Sequence, residues 1–239
     1  RGHNGRYAWG NLPPDSSKAR YCDDQCKDSK YSVGGKIRRR LGADPVNSHP
    51  EGRTMDGLYN LSGNVREWIL DTYYDKYYET IQGGARDPLY FTSAARQEKV
   101  YRGGGWDDAP TILDVTVRKA VAPDKRGSDI GFRCASSSGR GGGMVAIGGG
   151  SYTRGINDED LDELIEACTK DDLRKKCEYG YRFGDQTPYH EATLSEYKID
   201  LFPVTNGMYK NCLASGVCRE TASTTMYGLN DDDQPVTML

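Results

Sequence analysis

Few residues in this chain of 239 could do chemistry, and their spacing limits what that chemistry could be. There are seven cysteines, at positions 22, 26, 134, 168, 177, 212 and 218, and three histidines, His3, His49 and His190. Thiolates suit zinc or copper(I), imidazoles suit transition metals, and carboxylates such as Asp107, Asp108 and Asp114 suit a hard cation. Six of the cysteines fall into local pairs, Cys22/Cys26, Cys168/Cys177 and Cys212/Cys218. The gaps within them are unequal, no CxxC repeats, and no histidine stands beside them. Small disulfide loops in an oxidising compartment are therefore expected rather than zinc. Cys134 is left over. The histidines sit in unrelated contexts and predict no shared metal. The three aspartates read first as solvated loop carboxylates and only second as cation ligands.

One further stretch has an unusual composition: Gly57-Leu-Tyr-Asn60-Leu-Ser-Gly63-Asn64-Val65-Arg66-Glu67-Trp68. Glycine and asparagine tolerate positive φ, so the segment is poor helix and poor strand. It is expected to form a tight, buried loop whose carbonyls are satisfied by the loop's own hydrogen bonds or by a cation.

The elements that must position these groups are short. Glycine is abundant (29), and tyrosine outnumbers phenylalanine 17 to 4, which predicts a loop-rich fold rather than a helical bundle. The net charge of −3 gives no reason to expect a nucleic-acid partner. No apolar run is long enough to predict a membrane span. Lys36 to Arg40 reads as a solvated loop because acidic residues flank it. Lys99 to Arg102 predicts a strand that delivers Arg102 and Trp106. The tyrosines of residues 73–78 pack a loop onto the core or form a ligand surface. Asp158 to Lys170, with Leu161, Leu164 and Ile165 at helical spacing, predicts an exposed helix. Thr205 is a good N-cap for a helix from Asn206 to Ala214 ending near Gly216. Ser136 to Gly143 is linker-like. The chain begins at Arg1 rather than methionine, and processing or trimming is expected.

GLYN-x-x-GN-x-x-EW resembles the signature of the formylglycine-generating enzyme (sulfatase-modifying factor) superfamily. Similar matches follow along the chain. Arg1 to Pro13 resembles ARG-x-x-GR-Y-x-WGN-x-P, and Val100 to Trp106 resembles V-x-RGGSW with Gly105 for serine. Ile130 to Ala135 resembles the closing GFRCA strand. Met144 to Tyr152 resembles the family's opening hairpin, and residues 187–218 resemble the segment after it. The order is swapped. Residues 1–138 correspond to the family's C-terminal half, 139–143 to a junction and 144–239 to its N-terminal half. Together they make one domain that lacks the RLPTEAEWE helix segment. A circular permutant, a cut from a tandem array, or pieces joined in this order would each account for it.

The resemblance implies a C-type-lectin-like α+β fold with short antiparallel sheets, few short helices and much irregular chain. It also implies where a metal would sit. Catalytic members hold copper(I) with two cysteines shortly after RGGS, and here Asp108 and Leu113 stand in those places, so no copper is expected. The iron branch uses histidines that are not clustered here. A structural calcium is implied at Asn60, Gly63, Val65 and Glu67, with Arg66 departing from the usual tryptophan. The GFRCA cysteine pairs in the family with one in the missing segment. Cys134 is thus expected to be free or bonded outside this sequence.

The expected function is a non-catalytic, extracytoplasmic module (secreted, periplasmic or at the cell surface) that binds a protein or glycan ligand. The alternatives are a copper-dependent oxidoreductase acting on protein cysteine and an assembly subunit completed by a neighbouring chain.

Overall fold

The computed structural model describes residues 5–23, 42–94, 97–138, 143–170, 183–220 and 231–237. Lys36 to Arg40, His3, Cys26 and Cys177 lie outside them. No helix among the described residues is long and apolar enough to cross a membrane.

Among the described residues the glycine-rich composition yields ten short strands and three α-helices, joined by much irregular chain. Strands β1 (Arg66–Thr72), β3 (Lys99–Arg102), β4 (Lys119–Val121) and β5 (Ile130–Gly131) form one sheet in the order β4-β3-β1-β5. A second, ordered β6-β10-β7, joins Ala135–Ser136, Tyr197–Asp200 and Met144–Ile147. A third, ordered β2-β9-β8, joins Ala85–Arg86, His190–Leu194 and Gly150–Arg154. Pairing is mostly antiparallel, but β1 with β5 and β2 with β9 run parallel. This is the α+β architecture of short sheets expected from the sequence.

The loop of Gly57 to Trp68 divides at Val65. Its first part turns on positive φ at Gly57, Asn60, Gly63 and Asn64. A Cβ at Gly63 would lie 2.8 Å from the Arg20 carbonyl oxygen, so glycine is required there for close approach as well as for φ. From Arg66 onward the chain is strand, where the sequence predicted none, because β3 and β5 pair with it on both sides. Tertiary pairing overrides weak local preference here.

Two of the three sheets join residues before position 139 to residues after 143. Strand β10 pairs with β6 on one side and β7 on the other, and β2 pairs with β9. Single bonds reinforce the junction: the Val204 amide donates to the Phe132 carbonyl (2.8 Å), and the Val46 amide to the Asp233 carbonyl (2.9 Å). The main apolar cluster is also mixed, with Ile112 and Val117 meeting Ile156, Leu164, Cys168 and Phe183.

That cluster corrects one expectation. Helix α2 (Asp158–Lys170) is not merely exposed, because Leu164 and Cys168 are buried and Leu161 packs beside them. The acidic residues occupy its outer face. Helix α1 (Tyr77–Thr80) buries both of its tyrosines, and Tyr74 and Tyr77 pack against Tyr90. In α3 (Asn206–Ala214), Thr205 accepts from the Met208 amide as an N-cap, and Gly216 takes positive φ just past the end.

Because the sheets are shared, severing the junction should not separate the two parts. With residues 139–142 replaced by a protease site and cut, the fragments should co-elute under native conditions and melt in one transition by calorimetry. Two independent transitions would contradict the shared pairing.

Candidate functional site

The two positions that would carry copper ligands can be located in full. Asp108 follows the Gly103–Trp106 turn and is about 1 % exposed. Its carboxylate is held by Arg66 from β1 as a two-pronged pair, Nε to Oδ2 at 2.6 Å and Nη2 to Oδ1 at 2.8 Å. The Gly105 amide also donates to Oδ2 (2.9 Å). Arg66 further pairs with Asp129 and reaches Asp107 at 3.4 Å, while its guanidinium lies 5.6 Å from the Tyr101 ring centroid. Leu113 is fully buried against Tyr7 and Ala19. One position is therefore half of a buried ion pair and the other is apolar core. Neither offers a thiolate or an open coordination place.

The electrostatics follow from this packing. Burial by itself would raise the Asp108 pKa, but Arg66 and Lys119 outweigh it and hold the carboxyl below its usual range. Burial also works against the charged Arg66, yet Asp108, Asp129 and Asp107 raise its pKa overall. Asp107 is raised by burial, and although Arg66 opposes this, Asp108 and Asp129 add to it. Burial pushes the Tyr101 hydroxyl up to about 12.

Asp107 is exposed, as expected of a solvated carboxylate, but Asp108 is not. Asp114 is also buried, accepting from Arg6 Nε at 3.0 Å and from the Thr116 hydroxyl at 2.6 Å. The cause is tertiary: arginines 42 and 108 residues away in sequence close onto these turns. Among the described residues no group of three His, Cys, Asp or Glu side chains is arranged to hold a metal ion.

The four residues of the implied calcium set lie in and just after the positive-φ loop. The Asn60 amide nitrogen donates to the Val46 carbonyl (2.8 Å), which leaves its Oδ1 as the acceptor. The Gly63 amide donates to Gly103 (2.7 Å), and Val65 is fully buried. Glu67 is buried and both of its oxygens accept from Arg133, one of them from Nε at 2.6 Å. The donor chemistry, carbonyls with one carboxylate, fits a hard cation. A carboxylate has about four lone-pair sites, so two arginine donors leave room for a metal contact. Arg133 was not singled out in the sequence, although it lies within the GFRCA match. It also donates to the Tyr59 carbonyl (2.7 Å).

Cys212 and Cys218 form a disulfide with Cα atoms 5.3 Å apart. Cys22 and Cys168 are also disulfide-bonded. The partners predicted for them, Cys26 and Cys177, fall outside the described residues. Cys134 is a free, exposed thiol whose pKa is raised by partial burial and by neighbouring Asp200. His49 lies between Asp44 (Nε2 to Oδ2, 3.1 Å) and the Ser16 carbonyl.

Sequence reasoning passed over a second charged cluster. The Tyr78 hydroxyl accepts from Arg102 Nη2 and Arg154 Nε, each at 2.7 Å. The guanidinium groups of Arg118 and Arg154 each lie 4.8 Å from the Tyr78 ring centroid, and His190 meets the ring edge-on at 4.6 Å. Burial disfavours ionisation of Tyr78, but Arg102, Arg154 and Arg118 hold its pKa below the usual value. A signal was present in the period-2 pattern. Arg102 follows buried Val100 by two residues in β3, and Arg154 follows Tyr152 in β8.

The Arg66 cluster generates a prediction. Arg66→Met leaves Asp108 buried without its main partner, and loss of one member of a buried pair costs about 3–5 kcal/mol. The Asp108 pKa is depressed from 3.8 in the folded state, so its contribution is present above that value and lost as pH falls through the folded pKa. In chemical denaturation the gap between wild type and variant should be full at pH 7 and narrow below about pH 4. A gap independent of pH would contradict the assignment.

Comparison with known proteins agrees with the geometry. Residues 1–138 match the Sulfatase-modifying factor enzyme 1-like domain family. A mouse protein, "Inactive C-alpha-formylglycine-generating enzyme 2", is 36 % identical over 141 residues, covering 56 % of this chain and 37 % of its own length. The "Formylglycine-generating enzyme" of Streptomyces coelicolor is 35 % identical over 140 residues, covering 56 % of this chain and 41 % of its own length. The chain thus spans about two fifths of the length of these curated relatives. Among solved structures, CarF aligns with a TM-score of 0.34 and 23 % identity, over 54 % of this chain and 35 % of its own. With its α+β architecture of short sheets and the match over residues 1–138, this chain belongs to the sulfatase-modifying factor enzyme 1-like domain family.

Proposed function

We propose that this chain is a non-catalytic member of its family, an extracytoplasmic binding or structural module held together by disulfides and a calcium ion. The observation that carries this reading is the fate of the two copper positions. Copper(I) needs soft ligands with room for oxygen and substrate. Asp108 is committed to Arg66 and Leu113 to the core. The mouse relative is named inactive, which supports the same direction.

The departures from the family pattern compensate one another. Arg66 stands where the family has tryptophan, and Asp108 where it has a ligand cysteine, and the two form one ion pair. Asp108 without Arg66 would be buried with only the more distant Lys119, at 3.9 Å, as a cationic partner. Their coexistence supports a site given over to structure. An oxidising compartment is supported by the Cys212–Cys218 disulfide and by the bonded state of Cys22 and Cys168.

Titration with copper(I) under anaerobic conditions should show no stoichiometric binding beyond what Cys134 alone gives, tested with a Cys134→Ser variant. A cysteine-containing peptide incubated with copper and oxygen should remain unoxidised by mass spectrometry. One tightly bound copper per chain in that variant, or conversion of the peptide cysteine to an aldehyde, would establish the oxidoreductase instead.

Calcium is assigned to Asn60 Oδ1, the carbonyls of Gly63 and Val65, and Glu67 shared with Arg133. A ligand bound only to the native state stabilises it by mass action, about 2.7 kcal/mol at a hundredfold excess over Kd. Chelation should therefore lower Tm by several degrees, and calcium should restore it. In Glu67→Gln the response should vanish. An unchanged Tm on chelation would remove calcium from the assignment.

A further inference from the structure

A cavity of about 490 Å³ lies between the strands of the two halves. Its walls include Leu58, Ile69, Ile147, Leu194 and Ile199, and at one side it reaches Tyr78, Arg102 and Arg154. The volume is that of a small-molecule site, and the mixture of apolar wall and a few convergent polar groups is what such sites present.

The charges beside the cavity do not balance. Arg102 donates to Tyr78 through Nη2 and to the carbonyls of Val115 (3.1 Å) and Thr116 (3.2 Å) through Nη1. Arg154 uses only Nε, toward Tyr78. Its terminal nitrogens make no hydrogen bond among the described residues, and they are not sealed from solvent. No carboxylate of the described residues forms an ion pair with either arginine. Asp71 acts on Arg154 through space without contact. Of the acids that line the cavity, Glu67 is taken by Arg133, and Asp56 is exposed at the surface. The third arginine, Arg118, already has Asp185 at 3.5 Å.

Tyr78 accepts from both arginines through one oxygen, and this leaves the terminal N–H groups of Arg154 unmatched. The cavity thus presents a guanidinium edge at one end and an apolar wall beyond. A guanidinium with free N–H groups in a partly desolvated site is best matched by a planar carboxylate.

We propose that this cavity binds a small organic carboxylate, with the carboxylate on the terminal N–H groups of Arg154 and an apolar body against Leu58, Ile147 and Ile199. Arg102 is a positioning residue, holding the Tyr78 hydroxyl in place from behind. The assignment goes beyond the reading as a non-catalytic module and needs no metal. A copper or calcium result therefore leaves it standing, and a ligand result leaves that reading standing.

The test is calorimetric titration of the full chain with 4-phenylbutyrate, octanoate and indole-3-acetate. The neutral amide 4-phenylbutyramide and inorganic phosphate serve as comparisons. At least one carboxylate should bind saturably at one per chain, with the amide at least tenfold weaker and phosphate unable to compete. Arg154→Met should weaken carboxylate binding at least tenfold in a protein that still melts cooperatively. Arg154→Lys should recover part of the affinity, and it keeps the test decisive if the methionine variant folds poorly. Absence of saturable binding by all three carboxylates would overturn the proposal. So would equal binding of the amide, full competition by phosphate, or undiminished binding by a folded Arg154→Met protein.

Discussion

The pair between Glu67 and Arg133 is the interaction on which the rest of the structure depends. Both groups are nearly buried, and both carboxylate oxygens are engaged. Arg133 also donates to the carbonyls of Tyr59 (2.7 Å) and Asp200 (3.3 Å). One guanidinium therefore ties together the positive-φ loop, strand β1 and the end of β10. With Arg133 itself, these come from three separate stretches of chain. A buried pair of this kind contributes little net energy compared with an apolar substitute, but its loss on one side is costly. Its value here is geometric, since it fixes where the loop meets the strand.

The neighbouring residue in β1 carries the opposite charge to the opposite face. Side chains alternate along a strand, so Arg66 and Glu67 cannot meet the same partners. Arg66 faces Asp108, Asp129 and Asp107, and Glu67 faces Arg133. Two adjacent charges thus organise two surroundings. One commits Asp108 and its turn to ion pairs within the fold. The other leaves a carboxylate and loop carbonyls of the kind a calcium ion accepts.

Much of this was legible in the sequence where the cause is local. Thr205 caps its helix through a bond three residues away, and Cys212 and Cys218 are close enough to close a small loop. Glycine at 63 follows from backbone φ and close approach. What was not legible depended on distant partners. Asp108 and Asp114 looked solvated because nothing nearby in sequence reveals Arg66 or Arg6. Helix α2 looked exposed because its composition is acidic, although Leu161, Leu164 and Cys168 form a stripe one face wide. The strand beginning at Arg66 was hidden by its glycine- and asparagine-rich approach. The Tyr78 cluster was missed for a related reason: its arginines come from two strands about 50 residues apart, so neither alone shows a site.

The sheets shared across the junction have a consequence for how the chain reaches its fold. Strand β2 waits for β9, and β6 for β10, at separations of roughly 60 to 100 residues, and closing loops of that size costs entropy before any pairing compensates it. Until the later strands have been made, the strands of residues 66–136 keep unpaired edges and half an apolar cluster, and such edges recruit other chains readily. The protection comes from the strands of residues 190–200, which pair with them later. Until β9 and β10 have been made, the earlier strands are competent to associate but not to finish, and the yield of folded protein is set by how quickly the second part follows the first.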